Sequence, residues 1–123
     1  MKLEPVNNQS GVLVGYLHWC PGCKQKHYIS TEDGQRPRWS FDGNMESPTF
    51  GPSINIRSGH FNANRPADRT DCWCNYEART GRKPSFSCGI CHYFIQRGQI
   101  AYCADSTHAL SGQTVPLPDC PAD

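Results

Sequence analysis

Two C-x-x-C pairs are the residues of this chain whose types and spacing most clearly indicate chemistry. A tight turn between paired cysteines aims both thiolates at one ion, so two such pairs favour a metal site, with zinc as the expected ion. Four thiolates would close the coordination shell, which is typical of a structural site. The predicted ligands, drawn from eight cysteines in 123 residues, are Cys20, Cys23, Cys88 and Cys91.

The sequence leaves undecided which residues join Cys20 and Cys23 as ligands of this site. Cys91 and His92 are neighbours in a predicted strand, so their side chains should point to opposite faces and only one should reach the ion. His27, which follows the first pair, is another candidate ligand. Cys72 and Cys74 are rivals, and together with the second pair they could form a separate site in a loop.

A second group of residues, His92, Asp105 and His108, could do catalytic work. The spacing of Asp105 and His108 would place both on one face of a helical turn, next to a strand that carries His92. Two imidazoles and a carboxylate suffice for acid–base catalysis near neutral pH, or for a catalytic metal. The alternative is structural, with Asp105 capping the turn and His108 bonding a backbone carbonyl.

Familiar catalytic motifs are missing from the chain. It contains no G-x-S-x-G, no H-E-x-x-H, no phosphate-binding glycine loop, and no H-x-E before a cysteine pair as in zinc deaminases. Ser53 and Thr49 could point polar groups into a cleft beside aromatic residues that are expected to be core. His18 and His60 stand alone and are expected to be surface or packing residues. Whether the chain is an enzyme therefore stays open.

The elements that must position these residues are short strands separated by turn residues. Alternating apolar and polar residues predict a mostly β, small α+β fold, a sheet of hairpins in which the first cysteine pair forms a zinc-ribbon-like turn. A short helical turn is expected at 106–110, capped by Ser106. The predicted strands are 12–19, 27–30, 38–41, 53–57, 92–96 and 99–103.

Composition limits the size of the core. Only 37% of the residues are hydrophobic, and there are 11 Gly and 10 Pro. We therefore predict a single zinc-binding domain over 1–123, in which the metal compensates for a small core. An irregular polar loop is expected at 60–87.

Charge and the N-terminal sequence narrow the partners and the location. A net charge of +1 gives no overall electrostatic basis for nucleic-acid binding, which leaves only the arginines of residues 60–87 as a less favoured route. The first ten residues lack an apolar signal region, and the apolar run at 11–17 is too short to span a membrane. The expected location is a reducing cytoplasm, with no membrane partner.

Several stretches together resemble a small uncharacterised family of phage and prophage proteins, often mislabelled ammonia monooxygenase. The resemblance lies in C-P-G-C with His27, W-x-F-D-G, P-T-F-x-P-S-I, C-H-x-F-I and D-x-x-H-x-L-x-G-Q-T-V. It implies a shared framework and variable positions at Cys72, Cys74 and Cys88. The framework positions that it implies are Cys20, Cys23, Cys91, His92, Asp105 and His108.

The resemblance implies a phage origin, a host-cytoplasmic location and an accessory or counter-defence role. On these grounds the sequence favours a zinc-stabilised binding module that acts on a host protein. The main alternative is a small zinc-dependent hydrolase that uses His92, Asp105 and His108. Nucleic-acid binding through the 60–87 loop is the third hypothesis.

Overall fold

Short antiparallel strands dominate the computed structural model, which describes residues 1–34, 36–62 and 71–122. The predicted mostly β fold is confirmed. Within the described residues the strands form three small sheets, in the orders β1-β2-β3, β4-β5 and β6-β7-β8-β9. The strands are β1 (Glu4–Asn7), β2 (Leu13–Cys20), β3 (Gln25–Ser30), β4 (Ser40–Phe41), β5 (Phe50–Gly51), β6 (Ile54–Ser58), β7 (Gly89–Gln96), β8 (Gln99–Tyr102) and β9 (Thr114–Pro116).

The first cysteine pair forms the turn of the β2–β3 hairpin. Cys20 pairs with Gln25 at the end of the ladder, and the Lys24 N–H donates to the Cys20 carbonyl at 2.7 Å. Lys24 adopts the left-handed conformation, with φ 56°. This tight reversal places Cys20 and Cys23 close together at the end of the hairpin.

The four-stranded sheet is built around β7. Strand β6 pairs with it so that Ile54 lies opposite Tyr93 and Asn55 opposite His92. Strand β8 returns along the other edge after a turn at Arg97–Gly98, where both residues have positive φ. The sequence predicted this hairpin from its alternating apolar residues and its Arg-Gly turn.

The core lies where the sheets pack together. Apolar side chains of β6, β7 and β8 meet Leu3, Ile29 and Phe50, all of which are buried. Phe41 stacks on Phe50 with ring centroids 4.7 Å apart, and Trp39 packs against the same cluster. These aromatic residues therefore contribute to the core, as the sequence favoured.

The single described α-helix is α1 (Tyr76–Thr80), inside the segment for which an irregular loop was expected. Short 3₁₀ turns occur at Gly59–Phe61 and Trp73–Asn75. Residues 106–110 form turns and bends instead of a helix. Arg65 and Arg69, invoked for nucleic-acid binding, lie outside the described residues. No described helix is long and apolar enough to cross a membrane.

Candidate active site and cysteine clusters

Ser53, His92 and Asp105 form a hydrogen-bonded chain that we call the triad. Ser53 Oγ lies 3.2 Å from His92 Nε2. On the other side of the ring, His92 Nδ1 lies 3.1 Å from each carboxylate oxygen of Asp105. The His92 and Asp105 side chains are 25% and 46% exposed, so the triad is open to solvent. A hydroxyl, an imidazole and a carboxylate are thus in contact in the same order as in the Ser–His–Asp arrangement of serine hydrolases.

Strand register explains why Ser53 and His92 meet. Successive side chains on a strand alternate between faces, and Asn55 lies directly opposite His92 in the β6–β7 ladder. Ser53 is two residues before Asn55 and shares its face, so it is the diagonal neighbour of His92. The Trp39 indole N–H also donates to the Ser53 carbonyl at 3.2 Å and fixes the backbone of the serine.

Asp105 reaches the triad through the loop that follows β8. The Cys103 N–H donates to the His92 carbonyl at 2.8 Å, which carries the chain back past β7. Ser106, which is buried, then accepts a hydrogen bond from the His92 N–H and donates one to the His92 carbonyl, both at 3.0 Å. The hydroxyl expected to cap a helix instead holds the backbone of His92.

A first group of metal-ligand side chains, the knuckle cluster, consists of Cys20, Cys23, His27 and Cys91, with ligand atoms within 4.8 Å of one another. The sulfurs of Cys20 and Cys91 are 3.8 Å apart. Two thiolates on a tetrahedral zinc ion, with Zn–S near 2.3 Å, would also lie about 3.8 Å apart. The cluster therefore has the composition and size of a closed zinc site. It joins the β2–β3 hairpin to β7.

The hydrogen bonds of His27 leave one ring nitrogen free for a metal. His27 Nδ1 lies 3.0 Å from the Tyr93 hydroxyl, whereas the buried Nε2 has no hydrogen-bond partner. Tyr93 in turn lies 2.7 Å from His18 Nε2, so its hydroxyl can accept from His27 and donate to His18. An outer partner on the second nitrogen is the usual arrangement for a metal-bound histidine.

Burial keeps these histidines neutral. Desolvation, followed by the charge of His27, lowers the pKa of His18 to about 4, and desolvation also lowers the pKa of His27. A neutral imidazole is the form that offers a lone pair to a cation. The orphaned His27 nitrogen therefore fits a metal ligand.

The thiols of the knuckle cluster lie in hydrogen-bond contact with one another. Hydrogen bonds from Cys23 and Cys91 hold the pKa of Cys20 far below its ordinary value. The contact with Cys20 raises the pKa of Cys23 to about 11, and contacts with Cys20 and Cys23 raise that of Cys91. The Tyr102 hydroxyl lies 3.0 Å from Cys20 Sγ and can donate to the same sulfur. One thiolate is thus stabilised by its neighbours, and a cation would take the place of their protons.

His108 lies beside the knuckle cluster and apart from the triad. Its Nδ1 accepts from the Leu110 N–H at 3.2 Å, which leaves Nε2 as the protonated nitrogen of a neutral ring, 3.5 Å from Cys91 Sγ. The ring also packs against Gly22, where an added Cβ would overlap it. His108 is therefore placed to donate a hydrogen bond to a ligand sulfur.

A second group, the loop cluster, consists of His60, Cys72, Cys74 and Cys88 and has the same compactness. Desolvation raises the pKa of Cys88, but N–H groups of His60, Cys74 and Trp73 that point at its sulfur outweigh this and lower it to about 7. All eight cysteines are free of disulfides. A third set, His92, Cys103 and Asp105, also brings three ligand atoms together.

The predicted site residues are thus divided among the knuckle cluster, the loop cluster and the triad. Cys20, Cys23 and Cys91 come together, whereas Cys88 belongs to the loop cluster. His92 and Asp105 meet each other, whereas His108 does not meet them. The structure adds residues to these places: Ser53, which the sequence placed only beside a cleft, joins the triad, and His60, which was expected to stand alone, joins the loop cluster. The buried His18 contacts the same Tyr93 hydroxyl as His27. Thr49 bonds the Arg97 N–H instead of facing the triad.

The fold and site define a small β-rich protein with a Ser–His–Asp arrangement and with Cys/His clusters positioned to hold metal ions. A family model matches residues 4–103, and it is described as BubE, bacterial ubiquitination-like system serine protease. Because the match spans most of the chain, the chain belongs to the BubE family. No curated protein and no solved structure matches it.

Proposed function

We propose that this protein is a serine protease with Ser53 as nucleophile, His92 as general base and Asp105 as the carboxylate that orients His92. The observation that carries the proposal is the continuous contact from Ser53 Oγ through both nitrogens of His92 to the Asp105 carboxylate. The family description names the same class of activity. The triad geometry and the family description are independent observations, because the geometry follows from the strand register and from the loop after β8.

The reaction follows from the roles of these atoms. Ser53 Oγ attacks the carbonyl carbon of the scissile bond while His92 Nε2 takes the hydroxyl proton. Asp105 stabilises the imidazolium that forms, and His92 then gives the proton to the leaving amine as the C–N bond breaks. Water, activated by the same histidine, hydrolyses the acyl-serine ester and restores the enzyme.

The family description also supports a class of substrate. A protease of a ubiquitination-like system would act on the proteins that this system processes or joins. The partially exposed triad can accept an extended polypeptide at the surface, since neither His92 nor Asp105 is enclosed. We therefore propose protein substrates and protein partners from that system.

We further propose that the knuckle cluster holds zinc in a structural role. Three thiolates and the Nε2 of His27 would fill all four positions of a tetrahedral ion and leave none for substrate. Cys91 is adjacent to His92 in β7, so an ion at this position would fix the strand that carries the catalytic base. The zinc supports the triad without taking part in the chemistry.

The test is active-site labelling with a fluorophosphonate probe, which phosphonylates an activated serine and releases fluoride. We expect labelling at Ser53, confirmed by peptide mass spectrometry, and its loss in Ser53→Ala with the fold retained. Ser10→Ala, at an exposed turn serine, is the matched control and should label like the wild type. Equal labelling of the wild type and Ser53→Ala would contradict the proposal.

A second candidate is a metal-dependent hydrolase, since the ligand atoms of His92, Cys103 and Asp105 could hold one ion. With an open position, such an ion would activate water in place of Ser53. This candidate differs from the predicted zinc hydrolase, which used His108 as third ligand. Cys103→Ala would abolish activity by this route, whereas Ser53→Ala would leave hydrolysis largely intact.

The remaining hypotheses from the sequence stay predictions. Host-protein binding by a phage accessory protein rested on the cysteine knuckles, the small core and the lack of a familiar catalytic motif. A pull-down from host lysate with Ser53→Ala as bait tests it, because an inactive protease would also retain its substrate. A host protein that the wild type retains intact, as well as Ser53→Ala does, would favour binding without catalysis.

A further inference from the structure

We propose that the loop cluster is a second metal site, independent of the knuckle cluster, that takes zinc or a similar thiol-binding divalent cation. Its ligands would be the sulfurs of Cys72, Cys74 and Cys88 and one ring nitrogen of His60. The site would fasten the segment 71–88 to the four-stranded sheet. The inference does not depend on the protease proposal, since none of these residues belongs to the triad.

The donor set fits one cation. Its four ligand atoms all lie within 4.8 Å of one another, and Cys74 Sγ is 3.8 Å from His60 Nδ1. A tetrahedral zinc ion with three sulfurs and one nitrogen would place its ligands about 3.5–3.8 Å apart. Small side-chain rotations would therefore close the cluster around an ion.

Three separate parts of the chain supply the ligands, and the backbone is adapted to their meeting. His60 lies in the turn after β6, Cys72 and Cys74 flank Trp73, and Cys88 immediately precedes β7. Gly59, with φ +61°, packs so closely on Cys88 that an added Cβ would overlap its sulfur. The close approach requires glycine at this position.

Local hydrogen bonds stabilise the conformation of the turn that contains Cys72 and Cys74. The Cys72 N–H donates to Asn75 Oδ1 at 3.0 Å. Arg79 donates to the same Asn75 oxygen at 2.9 Å and to the Cys72 carbonyl at 3.2 Å. The two cysteines are therefore presented on a preformed turn, which lowers the cost of ordering them around an ion.

The segment needs such an anchor because it has almost no core of its own. No residue between 71 and 88 is buried, and Phe86 is 64% exposed. Helix α1 has five residues, far below the length at which a helix is stable alone in water. Apolar burial cannot offset the entropy of ordering these residues, whereas a metal bond can.

An ion here would border a cavity of about 900 Å³. Residues of both clusters line this cavity, among them Cys23 and Cys88, together with His108, Trp73 and Phe86. Trp73 and Phe86 are in ring contact, with centroids 5.4 Å apart. The loop cluster would hold this aromatic pair in position.

The test is the metal content of purified protein per chain, measured by elemental analysis after dialysis against metal-free buffer. We expect two zinc equivalents in the wild type and one in Cys74→Ser and in His60→Ala. Cys120→Ser, a cysteine outside all three ligand groups, is the matched control and should keep two. Ser53→Ala should also keep two, so failure of the protease proposal is distinguishable.

Two results would overturn the inference. One is a single equivalent in the wild type that Cys74→Ser retains, which would leave the knuckle cluster as the metal site. The other is two equivalents that survive in both Cys74→Ser and His60→Ala. Cobalt substitution provides a second readout if a variant folds poorly. Thiolate-to-cobalt absorption should appear in two titration steps in the wild type and in one step in Cys72→Ser.

Discussion

At the scale of single residues, the proposed catalysis would depend on the contact between Asp105 and the imidazole of His92. Asp105→Asn keeps the shape of the side chain but removes the charge that stabilises the imidazolium and can favour the wrong tautomer. We expect kcat to fall by about 10⁴-fold while the melting temperature changes little. The measurement is hydrolysis of a chromogenic ester together with thermal unfolding. Asp119→Asn is the control because Asp119 is a surface carboxylate, 78% exposed, and a similar loss there would contradict the assignment.

The Tyr93 hydroxyl offers a second test at the same scale. Tyr93→Phe removes the group that His27 Nδ1 and His18 Nε2 both contact, so two buried ring nitrogens lose their partner. We expect zinc affinity at the knuckle cluster to fall by roughly 10–100-fold, the usual effect of removing an outer hydrogen bond. Competition with a chromogenic chelator measures it. Tyr28→Phe, which removes an exposed hydroxyl, should leave the affinity unchanged.

Some residues of the site could be predicted from their type alone, whereas the others are recognised only from their contacts in the structure. His92 and Asp105 were candidates from sequence because an imidazole and a carboxylate are recognisable wherever they lie. Ser53 was expected only to face a cleft, and nothing marked it as a nucleophile, because serine is common and no G-x-S-x-G surrounds it. The register that puts Ser53 diagonal to His92 would have indicated it, but register cannot be obtained from a single strand.

At the scale of elements, the loop after β8 must be tied to β7 for the triad to form. Ser106 makes that tie through two hydrogen bonds to the His92 backbone. Ser106→Ala removes the acceptor of the His92 N–H, whereas the His92 carbonyl keeps the Cys103 N–H, so we expect the unfolding free energy to fall by about 1–3 kcal/mol. Fluorophosphonate labelling should slow at the same time.

Urea unfolding and labelling rates measure these two effects. Ser111→Ala is the loop control, because Ser111 Oγ bonds the Ala104 carbonyl in the same loop but does not touch His92. If both variants lose stability but label at the wild-type rate, Ser106 supports the loop without positioning the base.

The elements differ in how well the sequence predicted them, for physical reasons. The strands of the hairpins could be predicted because alternation of apolar and polar side chains is a local signal in the sequence. Their pairing in ladders lengthens some strands beyond that signal. The prediction of a helical turn at 106–110 was wrong because the Ser106 hydroxyl bonds the backbone of His92 instead of a helix N–H. Helix α1 was missed because its residues, Tyr76–Thr80, have no buried face that would produce apolar periodicity.

At the scale of the whole molecule, the knuckle cluster connects two sheets. Cys20, Cys23 and His27 belong to the β2–β3 hairpin, whereas Cys91 belongs to β7 of the four-stranded sheet. Structural zinc contributes on the order of 10 kcal/mol to folding, comparable with the total stability of a small domain. Removing it should therefore unfold the protein or lower its melting temperature strongly.

The experiment is best made in the Cys74→Ser background, in which the knuckle cluster is the remaining predicted zinc site. We expect a strong chelator to abolish both the cooperative thermal transition and fluorophosphonate labelling. Refolding with cadmium, which also prefers thiolates, should restore both, since the ion only has to hold Cys91 and the neighbouring His92 in place. A protein that refolds with cadmium but regains hydrolysis only with zinc would assign the ion to the chemistry and favour the metal-dependent hydrolase.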